Sequence, residues 1–248
     1  MRYFLEIAFD GTDFHGWQRQ PNAISVQEAL EEALRLVCKI DSGIVGAGRT
    51  DTGVHAVQIM AHVDADFALD QDPWLDKLNS FLPPSIVIKS IRQVQDDAHA
   101  RFQATGRTYK YYISLGKNPF AVQFSHSLHR TPDVAAMNEG AKLLLGTQDF
   151  QCFSRSNTDV KTYVCDLKEA YWVQEGQQLV FTISADRFLR NMVRAVVGTL
   201  LEVGYGKRAI DSIPQLIASK NRSEAGASAP AKGLFLHKVS YPEALYKS

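Results

Sequence analysis

Cysteine is scarce in this 248-residue chain: Cys38, Cys152 and Cys165 are all there is. An odd number without metal-like spacing argues against a disulfide frame and a cysteine zinc site, and reads as buried cytosolic thiols. No apolar run is long enough to cross a bilayer. The opening Met1–Glu6 stretch lacks the apolar core of a secretion signal. Net charge is missing too, because 27 Lys and Arg balance 27 Asp and Glu. That argues against indiscriminate coating of nucleic acid and leaves room for a local basic groove. There is no phosphate-binding P-loop and no nucleophile elbow. His15, His55 and His62 lack zinc-site spacing. Gly46-Ala-Gly48 begins like a dinucleotide fingerprint, but Asp51 stands where the third glycine belongs. What remains is ordinary for a folded protein, 45% hydrophobic and 22% charged, enough for one large domain or two small ones.

The patterning is mixed. Residues 2–9 alternate and read as a strand. Ser25-Val-Gln-Glu28 is a capping box, and Val26, Ala29, Leu30, Ala33, Leu34 and Val37 continue at helical spacing. Strands are expected at 44–48, 57–63 and 86–94. Between the last two, Asp72-Pro73 reads as a helix start, with Pro83-Pro84 as its stop. The second half repeats the order: a strand at 107–115, a helix at 131–146, a hairpin of 162–173 with 178–184 around Gly176, a long helix from Leu189 to Gly204, a short helix at 209–219 and a strand at 234–241. The expectation is an α+β protein of two duplicated ferredoxin-like, β-α-β-β-α-β halves. They would span 1–100 and 101–248 and join into one extended, mostly antiparallel sheet with a central cleft.

Three stretches could carry chemistry. Gly46-Ala-Gly-Arg49-Thr-Asp51-Thr-Gly53-Val-His55 sets a carboxylate among glycines on a loop between strands. With Arg49 two residues away, Asp51 is expected to stay ionised, fit to act as nucleophile or base. The plainer reading makes it a turn residue. Between Arg101 and Arg130 there is no acidic residue, and Arg101, Arg107, Tyr109, Lys110, Tyr111, Tyr112 and Lys117 interleave cations with rings. That composition suits RNA, where cations meet phosphates and rings stack on unpaired bases. It also suits a tyrosine-rich strand with a solvated face. In the long helix, Arg187, Arg190 and Arg194 fall near one another in angle. Arg194 interrupts an apolar run, so its guanidinium must snorkel to solvent or meet a carboxylate such as Asp51.

Taken in order, Gly16-Trp-Gln-Arg-Gln20, Gly48-Arg-Thr-Asp-Thr-Gly-Val-His55, His99-Ala-Arg-Phe102, Arg107-Thr-Tyr-Lys-Tyr111, Met192-Val-Arg194 with Gly198, and Ala229-Pro-Ala-Lys-Gly-Leu234 closely resemble the tRNA pseudouridine synthase A family, over nearly the whole chain. The resemblance implies a cytoplasmic, homodimeric enzyme without cofactor or metal. Such an enzyme isomerises uridine to pseudouridine at positions 38, 39 and 40 of the tRNA anticodon stem-loop. It places the catalytic aspartate at Asp51, the active-site tyrosine at Tyr109, the partner arginine at Arg194, and the arginine that serves the displaced nucleotide at Arg49. The rivals are an RNA-binding module without chemistry, a small-molecule acid/base enzyme using Asp51 and His55, and a pseudouridine synthase for other tRNA positions.

Overall fold

The computed structural model describes residues 1–71, 73–155 and 160–247. They form two compact units, one of Met1–Thr105 with Phe235–Ser248 and the other of Gly106–Leu234.

In the first unit, β1 (Arg2–Phe9) lies between β3 (His55–Asp64) and β4 (Ile86–Val94), antiparallel to both. The two-residue β2 (Val45–Gly46) pairs with β3. The late strand β10 (Leu234–Ser240) runs parallel to β3, with Phe235 opposite His55. The α+β expectation holds, and the sheet is mixed. The sequence reading placed a single break at 100/101. In the structure the boundary follows Thr105, and the stretch from Phe235 onward belongs with the first unit because β10 hydrogen-bonds to β3. Strict alternation would leave Phe4 on the polar face of β1, yet it is fully buried. Rings from that late stretch cover it, Tyr241 at 5.1 Å and Tyr246 at 6.1 Å, both edge-on.

Helix α1 (Val26–Ala33) starts where the capping box put it, with Ser25 Oγ accepting the Glu28 N–H at 3.3 Å. It runs on through a wide turn, Leu34–Cys38, closed by the Lys39 N–H on the Leu34 carbonyl. That extra residue rotates the stripe, so Cys38 is buried and Val37 only half so. Helix α2 (Trp74–Phe81) begins with Pro73 at its N-cap. The expected Asp72 cap lies outside the described residues. Asn79 fixes α2 to β4 by donating to the Ile88 carbonyl and accepting the Ile88 N–H, both at 2.8 Å.

In the second unit, β5 (Gly106–Leu115), β9 (Gln178–Ala185), β8 (Val164–Glu175) and β7 (Gly146–Asp149) pair antiparallel in that order, and β6 (His126–Leu128) runs parallel to β5. Helix α3 (Val134–Lys142) is capped by Asp133, which accepts from the Ala136 N–H at 3.0 Å. It packs on α4 (Met192–Gly204); α5 (Ser212–Ser219) follows. α4 is apolar on nearly every side and correspondingly buried. Gly198 is required there: a Cβ would lie 1.7 Å from the Ala227 carbonyl oxygen of the 225–230 segment that crosses the helix.

Candidate active site

The Asp51 loop is built by close backbone packing. Gly46 pairs with Ala61 at the end of β2, and the Ala47 N–H donates to Met60 O at 2.7 Å. The buried Trp17 indole lies over Gly46, where a Cβ would come within 2.5 Å of it. Gly16, at φ +89, packs so near the Thr50 carbonyl that a Cβ would fall 2.3 Å from its oxygen. The same carbonyl accepts the Trp17 N–H at 3.4 Å. The Val54 N–H closes a turn on Asp51 O at 3.1 Å, with Gly53 at φ +72 as its third residue. The Gly53 N–H reaches Phe14 O at 3.3 Å. Thr50 is therefore drawn inward by the 14–17 loop, while Asp51 stays half-buried and Arg49 exposed. Gly48 has nothing within 4 Å of a Cβ position, so that side of the loop is open.

Among the described residues, Arg49 forms no ion pair. His55 is 1% exposed, and its Nδ1 lies 3.0 Å from both the Gly11 N–H nitrogen and an Asp10 carboxylate oxygen. Its ring stacks on Phe235 at 4.5 Å. His55 thus anchors the 10–13 turn and β10, which is a structural task and leaves the Asp51–His55 acid/base rival without its second group.

The second unit supplies the other named residues. Tyr109 sits on β5 opposite Ile183, half-buried, with Phe188 edge-on at 5.1 Å and 86°. Two residues on, Tyr111 turns wholly into the core and donates to Pro230 O at 2.9 Å; burial pushes its phenol well above the ordinary tyrosine range. Arg194 lies in the first turn of α4, and its Nε donates to Ala229 O at 2.7 Å while the Ala229 N–H returns to Arg194 O at 2.9 Å. The neighbouring Ser228 Oγ accepts from Asn191 at 2.7 Å and from Arg222 at 2.9 Å. The guanidinium therefore neither snorkels freely nor drifts: one edge is fixed by a loop that is itself fixed. Arg187 and Arg190, read from the sequence as sharing a helix with Arg194, precede it. Asn191 at φ +66 breaks the helical path, and α4 begins at Met192. The hold of the 225–230 segment on Arg194 has no counterpart in the sequence patterning. The glycine and small residues of that segment were the available signal.

The first unit thus presents a carboxylate on a glycine-framed turn, and the second, taken by itself, a half-buried aromatic ring on β5 and a guanidinium tethered at the start of α4. The model of the family described as tRNA pseudouridine synthase matches residues 7–103 and 141–242, and the chain belongs to that family. It is 50% identical over 248 residues to the tRNA pseudouridine synthase A of Bacteroides fragilis, covering 99% of this chain and 98% of that one. It is 48% identical to the protein of the same name from Porphyromonas gingivalis, at 99% of each chain. The counterpart from Acetivibrio thermocellus is 41% identical over 239 residues, 96% of this chain and 98% of the other. The Asp51 loop and Arg194 lie inside the segments matched by the family model, and Tyr109 lies in the stretch between them.

Proposed function

We propose that this protein is a cytoplasmic isomerase that converts uridine to pseudouridine at positions 38, 39 and 40 of the tRNA anticodon stem-loop. The observation that carries the reading is Asp51, displayed half-buried on a turn that backbone hydrogen bonds from Gly53 and Val54 and the close packing of Gly16 on Thr50 hold in place. The reaction breaks the N1–C1′ bond, turns the uracil and joins C5 to C1′; C5 gives up its proton and N1 gains one. The target nucleotide leaves the stack to reach such a group. Asp51 acts as an ionised carboxylate, either attacking C1′ or taking the C2′ proton. Arg194 is the cation assigned to keep that carboxylate charged and aimed. Tyr109 stacks on the uracil and serves the proton at C5. Arg49, exposed and without an ion-pair partner among the described residues, fills the stack or holds the phosphate of the displaced nucleotide. Because the net charge is zero, a homodimer that lays basic strips of both subunits along one tRNA supplies the positive surface.

The test is pseudouridine formation in an unmodified tRNA transcript, mapped by nucleotide, with wild type and Asp51→Ala side by side. Modification at 38–40 that vanishes in the variant supports the reading. A folded wild type that binds tRNA and modifies nothing would return the protein to the RNA-binding class.

A further inference from the structure

The His99-Ala-Arg-Phe102 motif has no part in the chemistry above, yet it is built with care. The turn it forms is fixed by its backbone. His62 Nδ1 accepts the Ala100 N–H at 3.1 Å. His99 Nδ1 accepts the Arg101 N–H at 3.1 Å and the Phe102 N–H at 3.3 Å. The His99 N–H is taken by the Gln103 side chain, and Arg2 donates to Ala98 O at 3.0 Å. Ala98 and Ala100 are fully buried. On this anchored turn Phe102 is 75% exposed. Its ring lies 4.2 Å from that of His99, which itself meets His62 at 4.7 Å. The Arg101 guanidinium carbon is 5.7 Å from the Phe102 ring centre.

A phenylalanine ring gains about 1.5–3 kcal/mol from burial, and this turn withholds it. From Ala98 to Pro132 the chain has no acidic residue. Just before the turn in sequence, Asp96 is paired with Lys247, and Asp64 is paired with the Arg2 that holds Ala98 O. A rigid exposed π-face with a cation at its edge matches one nucleotide, the base on the ring and the phosphate on the guanidinium.

The geometry points to Phe102, with Arg101 beside it, as a stacking contact for an unpaired nucleotide of the RNA substrate, separate from the residues assigned to the reaction. This rests on the reading that the substrate is tRNA.

The experiment measures the Kd of unmodified tRNA transcript at fixed salt for wild type, Phe102→Ala, Phe102→Leu and Phe102→Trp, with thermal unfolding and sedimentation run on each. The expected result is a Kd about tenfold higher for the alanine variant, nearly as high for leucine, and restored by tryptophan. The loss appears in Kd and KM more than in kcat, and the unfolding temperature stays put because the ring is exposed. Unchanged tRNA affinity in Phe102→Ala overturns the proposal. So does full rescue by leucine, or a change of oligomeric state, either of which makes this an apolar contact between copies. If wild type binds tRNA with this Phe102 dependence but forms no pseudouridine, the functional reading fails and the stacking contact stands.

Discussion

Lowering the pH should destabilise the first unit through His62. The ring is buried and its Nδ1 accepts the Ala100 N–H, a bond that only the unprotonated nitrogen can make. Burial, then the Arg2 and His99 charges, pull its pKa from the ordinary 6.5 down to about 4. The folded state thus binds the proton less readily than the unfolded chain. The stabilisation is complete above pH 6.5 and is lost as the pH falls from there through 4. The loss amounts to about 2 kcal/mol between pH 7 and pH 5, or roughly 4–8 °C in unfolding temperature for a chain of this size. His99 is held down in the same direction by burial and Arg2, so the wild-type slope is steeper than one ring gives. Comparison with His62→Asn, whose amide oxygen can accept the same N–H and does not titrate, isolates the one group. Thermal unfolding followed by circular dichroism from pH 7 to pH 5 should show the variant falling about 2 kcal/mol less than wild type. Parallel pH dependence in the two proteins would refute the reasoning.

Glycines of the Asp51 loop should separate by environment. Gly46→Ala drives a methyl into the Trp17 indole at 2.5 Å and should cost about 1–3 kcal/mol in urea unfolding, with activity lost alongside. Gly48→Ala meets nothing within 4 Å and should leave stability within about 0.5 kcal/mol of wild type. The three thiols are buried, and burial raises Cys38 to about 11 and Cys152 and Cys165 to about 12. A thiol-disulfide reagent at pH 8 should therefore find none of them until the protein is unfolded.

Local chemistry was legible from the sequence where it is enforced by neighbours in the chain. Ser25 and Asp133 cap the helices they precede, and the Pro83-Pro84 stop ends α2 where expected. The Asp51 loop declared itself because glycines at 46 and 53 answer a packed indole and a left-handed turn. Features that depend on distant residues were not legible. Apolar periodicity runs smoothly from Leu189 into α4 and cannot reveal that Asn191 takes a left-handed conformation. The wide turn that exchanges Val37 for Cys38 has no compositional mark. β6 and β7 are three and four residues long, too short to show a period, and exist because β5 and β8 offer them edges. The hold of Ala229 on Arg194 joins residues 35 apart.

The return of β10 to β3 imposes an order on how the protein comes into being. The strands β1, β3 and β4 are synthesised within the first hundred residues, but the rings that cover Phe4 and the parallel neighbour of His55 arrive only after the entire second unit has been translated. A nascent or truncated chain ending before Phe235 carries a β3 edge with only two-residue β2 against it and an aromatic face open to water. Such a species is a substrate for chaperones and proteases. The first unit, made earliest, is finished last, so its sheet is closed only in chains that have been read through to the strand that seals it.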